Sequence, residues 1–114
     1  MKSFDVFVTH ISWGESDGKN RPVLAFVLGE STVDVYRITT KYASKSEAIR
    51  ENYFKIDDWT ECGLSTESYV DVGTLITLPM QVLNNKVPIG RLTDSDKRRF
   101  LVFLNGNLQG FNGL

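Results

Sequence analysis

Six consecutive apolar residues, Val23 to Leu28, constrain this chain more than any other segment. With an apolar side chain at every position, such a run cannot alternate between core and solvent, so it reads as a central strand covered on both faces. It starts directly after Arg21-Pro22, which closes the polar loop Gly14 to Asn20. A second segment, Val33 to Ile38, follows across Gly29 to Thr32 and ends in Thr39-Thr40. Its β-branched and aromatic residues favour strand. If the two form a hairpin with Leu28 facing Val33, antiparallel counting sets Pro22 opposite Thr39 and Arg21 opposite Thr40. A slip of one residue sets Arg21 opposite Thr39 instead. Either register puts a guanidinium beside a threonine hydroxyl at one end of the hairpin, a pair suited to a phosphate. Arg37, two residues before Thr39, projects from the same face as Thr39.

The remaining elements are short. Asp5 to Thr9 reads as a first strand and Phe54 to Ile56 as a brief one. Ser44 to Glu47 has the spacing of a capping box that opens a helix through Arg50. Tyr69 to Thr77 is again β-branched, with Gly73 marking a bulge or sharp bend and Pro79 ending the strand. Val87 to Leu92 carries Pro88 and so belongs at a sheet edge. Thr93 to Asp96 caps a final helix with a stripe of Phe100, Leu101, Phe103 and Leu104, and Asn105-Gly106 is its stop signal. Lys97, Arg98 and Arg99 read as its solvated face. Several short strands and a terminal helix predict a mostly-β fold, a small barrel with a helix packed on it.

At 114 residues, 41% of them hydrophobic, residues 1–114 suit a single domain with one packed core. One cysteine, Cys62, allows no internal disulfide, and with no visible signal peptide the expected location is cytoplasmic. No apolar run is long enough for a membrane helix. The net charge of −1 counts against a strongly basic nucleic-acid binder. The cations Lys19, Arg21, Arg37, Lys41, Lys45 and Arg50 nonetheless gather in the first half, which predicts a local basic patch on a mildly acidic body.

These residue types suit phosphate chemistry without a cofactor. Arg21 is permanently charged and can grip phosphoryl oxygens bidentately, and Thr39 can donate one more hydrogen bond. Lys19, Arg37 and Thr40 are placed to help bind the substrate. Trp13 either stacks on a base or caps the end of the core. His10, the lone histidine, titrates near neutrality and is a candidate proton carrier; the alternative is a strand-end side chain satisfied by backbone. Asp71 is a second candidate base, its plainer reading being an exposed strand aspartate. One histidine, one cysteine and no tight carboxylate cluster suggest no metal site.

Asp5-Val-Phe-Val8, Lys19 to Leu24, Tyr36 to Thr40, Gly63-Leu64 with Ser68 to Val70, and Ile89 to Thr93 occur in an order that resembles the PemK/MazF toxins of bacterial type II toxin–antitoxin systems. The resemblance runs from residue 4 to about residue 104. It implies an SH3-like β-barrel, usually a homodimer, and metal-independent endoribonuclease cleavage of single-stranded RNA. In that chemistry the ribose 2′-OH attacks the adjacent phosphate, so the substrate is RNA and not DNA. Arg21 and Thr39 are the positions that carry over as catalytic. A cognate antitoxin covering the Arg21 groove is the implied protein partner. The chain departs from the family at Phe4, where a glycine is common, and at Trp13, where a proline is common. An Arg/Asp pair used by some members on the strand matching Tyr69 to Thr77 is replaced by Asp71 and Gly73. The rival expectation is a non-catalytic SH3-like module that binds RNA or a partner peptide.

Overall fold

The computed structural model describes residues 1–11 and 19–111, with backbone alone at residue 19 and from residue 107 onward. The described strands are β1 (Asp5–Ile11), β2 (Lys19–Val27), β3 (Thr32–Thr39), β4 (Tyr53–Lys55), β5 (Tyr69–Pro79) and β6 (Gly90–Arg91). The described helices are α1 (Glu47–Arg50), α2 (Gln81–Asn84) and α3 (Asp94–Phe111). All strand pairs are antiparallel, in the order β4-β5-β3-β2-β1-β6. The mostly-β expectation therefore holds.

Both faces of the sheet are covered, as the unbroken apolar run of β2 requires. Leu24 joins Val6, Ile38 and Val70 in a cluster closed by Phe54, Ile56, Leu92 and Phe100. Its neighbours Val23 and Ala25 point the other way, into a cluster with Phe7, Val33, Val35 and Leu83. Phe100 from α3 sits edge-on to Phe4, Tyr36 and Phe54, with ring centroids 6.3, 5.9 and 5.1 Å away. Truncating a ring this enclosed typically costs about 3–5 kcal/mol. The first cluster thus fixes α3 on the sheet.

Thr93 caps α3 as expected, its Oγ1 accepting from the Asp96 N–H at 3.3 Å. Asp96 does not complete a reciprocal box. Fully buried, it accepts from the backbone N–H groups of Asp57 and Asp58 at 3.3 and 2.8 Å and from Arg99 at 2.9 Å. One carboxylate so ties the start of α3 to the turn after β4. The same turn touches β6 through two glycines. Gly63 has φ +82°, and a Cβ there would lie 2.1 Å from the Ile89 carbonyl oxygen. Only glycine accommodates both conditions.

Several local expectations are corrected. The β2–β3 hairpin adopts the register slipped by one, pairing Val27 with Val33 and Val23 with Arg37. The cap of α1 is Ser46, which accepts from the Ile49 N–H, and not Ser44. α3 continues past Asn105-Gly106 to Phe111: Gly106 stands in open space, and one helical glycine costs only about 1 kcal/mol. Leu101, expected in the buried stripe, is 45% exposed. Arg99 is not simply solvated but lies over the Phe54 ring and pairs with Asp57 and Asp96. The strand expected over Val87 to Leu92 narrows to Gly90–Arg91. Phe4 has φ +75°, a left-handed conformation that an L side chain adopts at a cost of about 1–2 kcal/mol. Its ring contacts with Phe26 and Phe100 offset that strain.

Asp96→Ala leaves two backbone donors and Arg99 without their acceptor, so urea unfolding is expected to show a loss of about 2–4 kcal/mol. Arg98→Ala, at an exposed position, is expected to change stability by less than about 0.5 kcal/mol. Burial, reinforced by the charge of Asp96, pushes the Cys62 thiol from its ordinary 9.0 up to about 11. The raised value means that this contribution to stability is complete below pH 9 and is lost as pH rises through about 11. Native protein is accordingly expected to resist a thiol reagent at neutral pH that labels the unfolded chain at once, with unchanged labelling on unfolding as the contrary result.

Candidate functional site

The site begins where a ladder stops. The Ala25 carbonyl accepts from the Phe4 N–H on the β1 side, so odd-numbered residues of β2 direct their backbone groups toward β1 and even-numbered ones toward β3. Pro22 is even-numbered and has no N–H. The β2–β3 ladder ends at Val23/Arg37, one residue short of it, while β2 stays paired to β1 as far as Ile11/Lys19. Arg21 and Thr39 therefore stand two residues beyond the last β2–β3 pair, each on its own strand.

Strand pairing also decides which residues share a face. Arg21 pairs with Thr9 on β1, and Thr39 pairs with Tyr69 on β5. Arg21 alternates with Val23, which pairs with Arg37, and Arg37 alternates with Thr39. Arg21, Arg37 and Thr39 thus project from one face of the sheet. Arg21 is half-buried, and among the described residues it has no hydrogen bond or ion pair. The Thr39 Oγ1 accepts from the Lys41 N–H at 3.2 Å, which leaves its own O–H free to donate.

Arg37 is differently situated. Its Nη2 lies 2.6 Å from Asp71 Oδ2 and 3.4 Å from the Tyr53 hydroxyl. Asp71 is 4% exposed and also accepts from Thr74 Oγ1 at 2.7 Å and from the Gly73 N–H at 2.9 Å. A bulge builds this arrangement: Tyr36 pairs with Leu75 but Arg37 pairs with Asp71, so the intervening residues of β5 loop out around the carboxylate. Gly73 and Thr74, both in the bulge, complete its shell. Arg37 Nε is buried and has no hydrogen-bond partner among the described residues. The charge of Arg37 is matched by Asp71, whereas that of Arg21 is not matched by any described residue.

An aromatic group adjoins the row. Tyr69 stacks on Tyr42 with centroids 4.5 Å apart and planes 13° from parallel, and Tyr53 is 6.4 Å from Tyr69. The Tyr69 hydroxyl donates to Glu67, which Lys55 also faces at 3.4 Å. That hydroxyl bond and Lys55 hold the Glu67 carboxyl below its usual range. Burial first, and then the charge of Asp71, raise the Tyr53 phenol above its ordinary value, with Arg37 opposing. Tyr53 is neutral at physiological pH and acts as a hydrogen-bonding group, not a base.

Not all sequence-predicted site residues converge. Arg37 and Asp71 are in contact, and Arg21 and Thr39 share their face of the sheet. Thr40 is exposed at the end of β3. His10 pairs with Asn20 and alternates with Thr9, so it projects from the opposite face together with Val8, away from Arg21. Asp71, whose plainer reading was an exposed aspartate, is buried and tied to Arg37. An Arg/Asp pair that the sequence lacks along one strand thus exists between neighbouring strands. Trp13 and most of the polar loop lie outside the described residues, as does the side chain of Lys19. Sequence reasoning missed Tyr42, Tyr53 and Tyr69: the register sets Tyr53 and Tyr69 on one face, and Tyr42, outside the strands, joins them by stacking on Tyr69. A cavity of about 600 Å³ between β4 and α3 adjoins this group at Tyr53 and is otherwise lined by Phe54, Lys55, Arg98, Arg99, Val102 and Phe103. Among the described residues no group of three or more His, Cys, Asp or Glu could hold a metal ion, and no helix is long and apolar enough to cross a membrane.

No protein-family model matches the chain, and no curated protein matches it significantly.

Asp71→Asn removes one of the causes that raise the Tyr53 phenol, so that group is expected to titrate at lower pH, read as the phenolate absorbance lost in the matching Tyr53→Phe background. A loss of about 2 kcal/mol should accompany it, less than the roughly 3–5 kcal/mol of a fully buried pair because Arg37 reaches solvent. An unchanged Tyr53 titration contradicts this description of the pair.

Proposed function

We propose that this protein is a metal-independent endoribonuclease that cleaves single-stranded RNA, built on the SH3-like barrel of the PemK/MazF toxins and acting as the toxin of a toxin–antitoxin pair. The observation that carries the reading is the guanidinium of Arg21, unmatched among the described residues, on the same face as the O–H of Thr39, at the point where β2 and β3 cease to pair. A phosphodiester placed there meets a planar bidentate cation and a neutral donor.

In this reaction the ribose 2′-OH attacks the adjacent phosphorus as its proton passes to solvent, and the 5′-oxygen leaves and takes a proton from solvent, yielding a 2′,3′-cyclic phosphate and a free 5′-hydroxyl. Negative charge grows on the non-bridging oxygens, and Arg21 stabilises it most when it is greatest. Thr39 donates to one of the same oxygens. Arg37, two residues along β3, is held in place by Asp71, which offsets its charge, and so helps to shape the face. Of the two proton carriers expected from the sequence, Asp71 shares the phosphate face and His10 does not. Asp71 is a positioning residue here, since three donors already occupy its carboxylate. A homodimer, and an antitoxin segment that competes with RNA for the Arg21 face, complete the toxin reading.

Arg21→Ala is expected to lower kcat/KM for RNA cleavage by about 10²–10³-fold and to abolish growth inhibition on expression. Thr39→Ala is expected to lower it by about tenfold, and EDTA to leave the wild-type rate unchanged. Undiminished cleavage by the Arg21 variant, or loss of cleavage with EDTA, overturns the proposal. RNA bound but never shortened by the folded wild-type protein points instead to the non-catalytic module.

A further inference from the structure

We propose that the unpaired edge of β4 and the cavity beside it form a docking site for an extended peptide of a partner protein, one that carries a large apolar residue between acidic ones. The proposal stands independently of the ribonuclease reading. β4 ends the sheet, with β5 as its one neighbouring strand among the described residues. Asn52 and Ile56, which flank β4, bond toward β5: the Asn52 carbonyl accepts from the Val72 N–H at 2.9 Å, and the Ile56 N–H donates to the Ser68 carbonyl at 3.1 Å. Strand alternation therefore turns the backbone groups of Tyr53 and Lys55 the other way, toward α3. Arg99 of α3 reaches the Lys55 carbonyl at 3.4 Å, in agreement with that direction. The Tyr53 N–H, the Tyr53 carbonyl and the Lys55 N–H have no partner among the described residues. Tyr53 is 5% exposed, and backbone groups at buried positions are nearly always paired.

α3 does not close this edge. A cavity of about 600 Å³ separates them, with Phe54, Val102 and Phe103 as its apolar lining and Lys55, Arg98 and Arg99 as its cations. That volume lies within the range of sites that hold a ligand, so it takes a leucine-sized side chain together with its backbone. Val102 is 75% exposed and stands four residues after Arg98, on the same face of α3. The cations are not equivalent. Lys55 faces Glu67, and Arg99 pairs with Asp57 and Asp96. Arg98 has neither an ion pair nor a hydrogen bond among the described residues, so it is the one that an added carboxylate meets unopposed.

These features select one kind of occupant. A strand edge with unpaired donors and an acceptor matches an extended peptide backbone, the mode in which a peptide adds a strand to a sheet. The apolar lining takes a side chain from alternate positions of that strand, and Arg98 favours acidic neighbours on it. A second copy suits the site less well: pairing β4 with its twin about a twofold axis brings the same cations together. RNA answers Arg98 but offers no strand backbone to the edge.

The test uses isotope-labelled full-length protein and the capped synthetic peptide Thr-Glu-Thr-Leu-Thr-Glu-Thr, whose leucine and glutamates share one side of an extended chain. Wild-type protein is expected to bind it with a Kd below about 1 mM, with the largest amide shifts at Tyr53 and Lys55. Methylating the peptide nitrogen that faces the edge should weaken binding about tenfold, since it removes one backbone donor and leaves the side chains intact. Arg98→Glu, at an exposed position, should also weaken it about tenfold, and a peptide with lysine in place of both glutamates should bind that variant better than it binds wild type. No binding at millimolar peptide, equal binding of the methylated peptide, or shifts that spare Tyr53 and Lys55 would overturn the proposal. So would concentration-dependent shifts of those amides without peptide, which assign the edge to a second copy, or a response to a short single-stranded RNA alone. None of these outcomes depends on whether the protein cleaves RNA.

Discussion

A single missing N–H organises the functional end of this sheet. β2 is an interior strand, and an interior strand normally spends every backbone donor on its neighbours. Pro22 faces β3 and has none to give, so the ladder ends at Val23/Arg37. The other side of β2 is unaffected, because its odd-numbered residues continue to pair with β1 down to Lys19. The chain thereby keeps Arg21 rigidly mounted on one strand while freeing it from the next. Thr39, at the end of β3, is held on its far side by Tyr69 of β5. Two side chains of complementary chemistry are presented from braced strands with no ladder between them.

Electrostatics then separates the two arginines on that face. Arg37 and Asp71 form a short, mostly buried pair, reinforced by Gly73 and Thr74 from the bulge. Such a pair is close to neutral from a distance and chiefly fixes geometry. Among the described residues nothing offsets the charge of Arg21 in the same way. The overall charge of −1 therefore says little about the local potential at the site. The tyrosines beside Thr39 complement this arrangement. Their neutral rings stack on each other, and so brace the turn after β3 against β5.

Much of this was legible in the sequence because strand signals are local. The apolar run of β2, the β-branched β3, Gly73 in β5 and the Thr93 cap each announced their element. Counting along the hairpin allowed for a one-residue slip, and in the observed register Arg21 and Thr39 have the same parity and so share a face. What escaped was non-local. The burial of Asp71 depends on a bulge that sets it opposite Arg37, and residue type alone favours an exposed aspartate. The sidedness of His10 rests on parity along β1, which strand ends read from sequence do not fix. α3 overran Gly106 because tertiary packing of Phe100 outweighs one weak helix former. α2 has no side-chain cap and only four residues, and so carried no signal.

The central claim is that RNA phosphate binds on the Arg21–Thr39 face. The most direct measurement is an NMR titration of isotope-labelled protein with a short RNA that carries a 2′-deoxy nucleotide at the scissile position, so that it binds without being cut. The account predicts that shifts concentrate at Thr9, the Arg21 guanidinium, Arg37 and Thr39, leaving Val8, His10 and Asn20 on the reverse face nearly unmoved. Shifts centred on His10 and Asn20, with Arg21 and Thr39 silent, would contradict it.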